Sequence, residues 1–364
     1  MTDTQAFNSG VRLSPRLRGV VPYVPPAGRR SATLLLDANE GAEPGETVRQ
    51  LLATVDPERI RRYPDAGALE AILADRAGVE PDRVVVTAGG DDAIHRVCSA
   101  TLDTGLQLIT HEPVFEMIPR YARLAGAEVV QVPWLRGAFP VEQFIASIGA
   151  ATGLVAVVSP NNPTGAAAAT EDLVEVSQAA LRVGALVLAD LAYVEFSSCD
   201  PTPALAKLPN VVMIRTLSKA FGLAGLRVGY AVCPAGLAPV IRAAGGPYPV
   251  SGLSLAVAEA LVQARECTKP YLSLVHQQRE ALARLLRQLG ADPLPSEANF
   301  VTAEFADAGR VHAALLAQGI SVRAFAPPLE RLLRITLPGE PRAFERLAAC
   351  LKRVVDQINR GALR

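Results

Sequence analysis

No stretch of this 364-residue chain stays apolar for the ~18–20 residues that a membrane-spanning helix needs. The first thirty residues lack the apolar core of a signal peptide, so the expected location is the cytoplasm. Cysteine is sparse. Five are scattered along the chain (Cys98, Cys199, Cys233, Cys267 and Cys350), an odd number with no CxxC pair. That pattern excludes a disulfide framework and suits reduced thiols. Histidine is scarcer still, at four, and no two have ligand spacing, so no metal site is expected. Neither sign of charge is in excess: 36 Lys and Arg face 36 Asp and Glu. Such a chain offers no field to draw in nucleic acid or an anionic membrane, which leaves a small molecule as the expected partner.

What is abundant is apolar surface. Half the residues are hydrophobic (50%), enough for the core of a large domain and a smaller one. Pro15, Pro22, Pro25 and Pro26 break up residues 1–35, which read as an irregular arm lying over another surface. The expected division is an arm at 1–44 joined to the small domain, a large domain at 45–245, and a small C-terminal domain at 246–364. Within the large domain, β-branched runs alternate with amphipathic stretches such as Thr170–Leu181. The runs are Val84–Thr87, Leu108–Thr110, Val129–Val132, Leu154–Val158, Ala185–Ala189, Val211–Arg215 and Val228–Val232. This alternation predicts an α/β fold with a mostly parallel seven-stranded sheet covered on both faces. After Gly245-Gly246-Pro247 the pattern predicts one long helical region, Leu253–Leu289, bent near Lys269-Pro270. Short strands at Asn299–Glu304 and Arg334–Thr336 follow, with helices at Arg310–Gln318 and Arg342–Arg360, making an α+β domain.

Ligands of open α/β sheets bind at the carboxyl ends of the strands. Polar clusters fall at those ends here: Gly89-Gly90-Asp91-Asp92, then Ser159 to Gly165, then Asp190, then Thr216, Ser218 and Lys219. The segment Arg215 to Tyr230 is the most telling. Lys219 lies there among small and apolar residues, where desolvation lowers an amine's pKa and frees it as a nucleophile. Arg227 sits eight residues on in a similarly apolar setting. A buried guanidinium calls for an anion, and phosphate matches its fork. With Thr216 and Ser218 as hydroxyl donors, the set suggests a phosphorylated aldehyde cofactor.

Seven motifs carry a resemblance. They run in order Leu36-Asp-Ala-Asn-Glu40, Arg62-Tyr-Pro-Asp65, Gly89-Gly-Asp-Asp92, Pro160-Asn-Asn-Pro-Thr-Gly165, Asp190-Leu-Ala-Tyr193, Ser218-Lys219 and Leu333-Arg-Ile-Thr336. The chain resembles, over nearly its whole length, the fold-type I aminotransferases that use pyridoxal 5′-phosphate (PLP). Among these it is most similar to the histidinol-phosphate aminotransferase group. The resemblance implies the aspartate aminotransferase-like fold and a set of roles. Lys219 would hold the cofactor as a Schiff base and shuttle the substrate's proton. Asp190 would pair with the pyridine nitrogen. Tyr193 and Asn162 would bond the ring hydroxyl, and Phe115, in Glu112-Pro-Val-Phe115, would stack on the ring. The amides of Gly90, Asp91 and Asp92 would hold the phosphate at a helix N-terminus while the aspartate side chains cap the helix. Ser218, Thr216 and Arg227 would complete that site. Tyr63 would reach the phosphate of a neighbouring subunit, implying a homodimer.

On the substrate side the resemblance assigns Arg334 to the α-carboxylate, with Asn39 lining the same pocket and Tyr23 and Arg323 near the substrate's phosphate end. Two positions depart from the family. Gly41-Ala42-Glu43-Pro44 replaces the usual continuation after Asn39-Glu40, and Leu191 replaces an acidic residue. The expected reaction is a ping-pong amino transfer, with L-histidinol phosphate as donor and 2-oxoglutarate as acceptor. The alternatives are a threonine-phosphate decarboxylase-like reaction and an aminotransferase for another, for example aromatic, amino acid. A non-catalytic ligand-binding protein on this fold is a further alternative. A nicotinamide-dependent oxidoreductase is disfavoured, because no GxGxxG follows the first strand.

Overall fold

The computed structural model describes residues 14–17, 32–264 and 266–361. After β1 (Leu34–Leu36), which joins the second sheet, the chain lays down seven strands of one sheet. These are β2 (Val84–Thr87), β3 (Gln107–Glu112), β4 (Glu128–Pro133), β5 (Thr152–Val158), β6 (Leu186–Asp190), β7 (Val211–Thr216) and β8 (Gly229–Val232). Their order across the sheet is β2-β8-β7-β6-β5-β3-β4. Only β8 runs against the others, since it pairs antiparallel with both β2 and β7. The expected mostly parallel sheet of seven strands is the one observed.

Burial explains the composition of these strands. β2 and β8 are buried along their whole length, and Leu154 to Val158 of β5 and Val187 to Asp190 of β6 are buried too. Helices cover both faces, so no position alternates to solvent and the runs read as continuously apolar. One face packs into the larger core around Val155, Val157 and Met213, the other around Leu154, Ala156 and Ile214.

The second sheet has the order β1-β11-β12-β10-β9. Its other members are β9 (Asp292–Pro293), β10 (Phe300–Glu304), β11 (Ile320–Ala324) and β12 (Leu332–Thr336). Three expectations need correction here. Leu34 and Leu35 are not irregular, because β1 pairs parallel with Ile320–Val322 of β11. β11 itself, a short alternating run, was not foreseen. The long helical region is two helices, Gly252–Gln263 and Lys269–Gln288, rather than one bent rod. Pro270 lies in the first turn of the second helix, where a missing N–H costs nothing, so it starts that helix instead of bending it.

Candidate active site

The parallel strands of the large sheet end at one edge, and the loops beyond them form a cleft of about 570 Å³, closed on its other side by β11 and β12. That volume is in the range of small-molecule sites. Gly90, Asp91, Phe115, Asn162, Asp190, Tyr193, Thr216, Ser218, Lys219 and Arg227 line it, together with Asn39, Arg323 and Arg334. Thirteen positions scattered from 39 to 334 are thus brought to one crevice by the sheet's topology.

Lys219 follows β7 and is half-buried. Its Nζ donates to the carbonyl of Ala38 at 3.0 Å and stands 5.7 Å from the centroid of the Tyr193 ring. Burial, with the Arg334 charge as a lesser cause, lowers its pKa to about 8. Asp190 ends β6 and is 4% exposed. Burial raises its carboxyl to about 7, against a lesser opposing effect from the Ala192 amide that donates to Oδ1 at 3.1 Å. No Arg or Lys among the described residues forms an ion pair with it. A buried carboxylate in this state is an unmet demand for an N–H donor or a cation.

Tyr193 lies at the start of the short turn Val194–Phe196, and its hydroxyl accepts from Asn39 Nδ2 at 3.0 Å. Burial raises its pKa. Asn39 is held in the left-handed region (φ 55°), which asparagine tolerates better than most residues. It also exchanges hydrogen bonds with Thr336 Oγ1, which donates to Asn39 Oδ1 at 2.9 Å and accepts from the Asn39 amide at 3.1 Å. Asn39 therefore ties the second sheet to the ring of Tyr193.

The segment after Asn39 departs from the family in a way the packing explains. A Cβ on Gly41 would lie 2.0 Å from the Lys219 carbonyl oxygen, and one on Gly222 would lie 2.1 Å from the Ala42 carbonyl oxygen. Two stretches of bare backbone thus touch directly beneath the lysine. Gly41→Ala is expected to push them apart, at a cost of about 1–3 kcal/mol. A fall in melting temperature together with reduced turnover would show it; an unchanged melting temperature would contradict this packing.

The turn Gly89-Gly90 opens the helix Gly90–Thr101. It can lie against β8 because Gly229 has no side chain: a Cβ there would meet Gly90 N at 2.6 Å. The helix N-terminus points its free amides into the cleft, a geometry that favours phosphate. Several expectations are corrected at this end. Asp91 and Asp92 do not cap the helix, whose N-cap, Gly89, has no side-chain acceptor. Asp91 pairs with Arg227 at 3.0 Å, while Asp92 accepts from the Ala88 amide and pairs with Arg96. Asp92 does not line the cleft. Arg227 is not buried: its side chain is 50% exposed, since it stands at the mouth. Thr216 Oγ1 accepts from the Ser218 amide at 3.1 Å and lies 3.5 Å from the Val228 carbonyl oxygen that it faces. Its hydroxyl thus orients Ser218 from the cleft's lining.

On the opposite wall, Arg323 of β11 and Arg334 of β12 are direct cross-strand partners. Arg334 is buried, donates to Asn162 Oδ1 and to the Asp37 carbonyl, and lies 5.3 Å from the Phe300 ring centroid. Like charges directly opposite on a sheet repel, so the pair stores a demand for anions.

Tyr63 lies outside its own chain's cleft. It is 83% exposed and stacks on Tyr248 with centroids 4.7 Å apart. Tyr23 lies outside the described residues. Among the cleft's contributors that the sequence reading does not single out are the Ala38 carbonyl, Glu116 and Phe325. A backbone carbonyl leaves no residue-type signal. Glu116 directly follows Phe115 and could have been sought there.

A lysine amine of lowered pKa, a buried carboxylate and a helix N-terminus around one cleft of an α/β sheet define an enzyme that works through an amine and an anionic cofactor. The family model for aminotransferase class I and II matches residues 34–351, and the chain belongs to that family. A histidinol-phosphate aminotransferase of Rhodospirillum centenum is 34% identical over 360 residues, covering 94% of this chain and 98% of that protein. The crystal structure of histidinol-phosphate aminotransferase from Sinorhizobium meliloti in complex with pyridoxal-5′-phosphate superposes with a TM-score of 0.87 at 26% identity. It covers 98% of this chain and 100% of that one. Aspartate aminotransferase from Thermus thermophilus with maleate shares the fold, with a TM-score of 0.77 at 22% identity over 94% of this chain and 100% of that one. The chain is an aminotransferase of the aspartate aminotransferase-like fold. Among the described residues no helix is long and apolar enough to cross a membrane.

Proposed function

We propose that the protein transfers an amino group from L-histidinol phosphate to 2-oxoglutarate, with PLP as its resident cofactor. The observation that carries this reading is the cleft's division of labour. One end offers Lys219, Asp190 and a helix N-terminus; the facing wall offers two arginines, Arg323 and Arg334. The names of the relatives supply the donor.

The cofactor fits the residues present. Asp190 is a buried carboxylate that lacks a cationic partner among the described residues, and the Gly89-Gly90 turn brings a helix N-terminus to the cleft beside Arg227, whose Nη2 would lie 2.6 Å from a Cβ on Gly89. When bound, PLP supplies an aldehyde and an electron-withdrawing pyridine ring. The amides of Gly90 and Asp91, the Ser218 hydroxyl and the Arg227 guanidinium would hold its phosphate. Asp190 would accept from the pyridine N–H, Tyr193 and Asn162 would bond the ring hydroxyl, and Phe115 would cover the ring's face. Lys219 Nζ, with a pKa near ambient pH, takes the proton from the substrate's α-carbon and returns it. Arg334 and Arg323 would hold the donor's phosphate and, in the second half of the cycle, a carboxylate of the acceptor.

Arg334→Ala is expected to raise the KM for 2-oxoglutarate by about 10- to 100-fold, the value of losing one or two charge-assisted hydrogen bonds. Steady-state kinetics read this, and an unchanged KM would refute the clamp. The function itself is tested by mixing the purified protein with histidinol phosphate and 2-oxoglutarate. Glutamate formation supports the proposal. Release of CO₂ without glutamate would replace it with a decarboxylase.

The working unit is a homodimer in the cytoplasm, with residues 45–245 as the cofactor-binding domain and 246–364 with residues 1–44 as the smaller one. The exposed Tyr63–Tyr248 stack supports a second copy at that face, and the free cysteines suit a reducing compartment.

A further inference from the structure

The two arginines on the substrate wall are held differently. Arg334 is fixed by Asn162 Oδ1 and the Asp37 carbonyl. The Arg323 guanidinium makes no hydrogen bond to any described residue. Its one ion pair among the described residues is with Glu116, whose Oε1 lies 3.9 Å from Nη2, too far for a hydrogen bond. Glu116 has no evident structural task of its own. It occupies the N-cap of the helix Met117–Ala125, yet its side chain caps nothing, and glutamate is not among the residues that helix caps favour. It lines the cleft beside Phe115 and across from Arg323.

Resting on the reading of Arg323 and Arg334 as the anion-binding wall, we propose that Glu116 sets how tightly this wall holds dianions. It is a resident competitor for Arg323 that only a ligand with two negative charges displaces. A monocarboxylate occupies Arg334 and leaves the Arg323–Glu116 pair intact. A dicarboxylate or a dianionic phosphate spans the two cross-strand arginines, and its second charge takes Arg323 from Glu116. Without such a ligand, Glu116 offsets the repulsion between the two guanidiniums. With one, the anion does so and Glu116 turns to solvent, which its side-chain exposure of 55% permits. The same wall can thereby accept both a phosphate-bearing amine and a dicarboxylate acceptor and release them again, at a small cost in dianion affinity that singly charged ligands do not bear.

The test is calorimetric titration of the holoenzyme with maleate, inorganic phosphate and crotonate, in the parent and in Glu116→Gln. A partly exposed pair at this distance contributes ~0.2–1 kcal/mol, so its removal should tighten dianion binding by up to about fivefold. Maleate and phosphate are expected to bind about two- to fivefold more tightly, and crotonate to bind as before. A gain confined to maleate would assign the second charge to a carboxylate, and one confined to phosphate would assign it to a phosphate ester. In an Arg323→Gln background, Glu116→Gln should have no further effect. Equal tightening of crotonate, weaker dianion binding, or an effect that persists without Arg323 would overturn the proposal. Turnover of histidinol phosphate by the parent separates this from the function itself. Normal turnover with unchanged dianion affinity in Glu116→Gln overturns the competitor role alone. Absent turnover with the Glu116 effect intact overturns the donor assignment alone.

Discussion

Lys219→Ala is expected to abolish turnover, with a loss of at least about 10³-fold, because it removes a nucleophile and a proton carrier in one step. The expectation follows from place and environment. Lys219 Nζ is the amine in the cleft, its pKa is lowered to about 8 by burial, and the Ala38 carbonyl aims it. Arginine at 219 would keep a cation but could not give up its proton, so Lys219→Arg should be as inactive. The fold should survive both changes, since among the described residues the lysine's side chain donates only to a backbone carbonyl. Near-normal activity in either variant, measured by glutamate formation, would refute the role.

Asp190→Asn is expected to lower kcat by about 10³-fold, comparable to the loss of one preorganised charge-stabilising group. It should also have an effect of opposite sign on the cofactor-free protein. The folded-state pKa of Asp190 is raised from 3.8 to about 7. The folded state therefore binds more protons than the unfolded one between these values, and stability falls as pH rises through that window. Above about pH 7 the cost of the buried charge is fully present. Asparagine keeps an acceptor for the Ala192 amide and carries no charge. At pH 8 the cofactor-free variant should melt at a higher temperature than its parent, while at pH 4 the two should converge. A lower melting temperature at pH 8 would show that Asp190 is compensated by something other than a bound ligand.

Much of this fold was legible because its strands are buried on both faces. The continuous runs at Leu154–Val158 and Val211–Arg215 could hardly be anything else, and they end where they were expected to within a residue or two. The second sheet was harder to read. β1 has three residues and β11 has five, and neither gains its identity until they pair across 286 positions, as Leu34 with Ile320. Pro270 was misread because a proline can bend a helix or begin one, and only the turn before it decides.

The site shows the same division. Side chains at strand ends, such as Asp190 and Lys219, announce themselves by position. Their relations do not. That Arg227 would stand half-exposed against Asp91, or that Asp92 would turn back to the Ala88 amide, depends on distances between segments that share no local pattern. Nor does the sequence show that Gly41 lies against the Lys219 carbonyl, where a Cβ would come within 2.0 Å of the oxygen. Tyr63 and Tyr248 pair through a contact between segments 185 residues apart, to which neither segment alone points.

Under the proposed function, catalysis depends on one covalent attachment, that of PLP to Lys219. Borohydride reduction of the holoenzyme, followed by proteolysis and mass mapping, fixes the cofactor to whichever lysine carries it. The expected result is a pyridoxyl phosphate group on the peptide containing Lys219 and on no other. Labelling at another lysine, or none after reconstitution with PLP, would contradict the assignment of this cleft as the catalytic site.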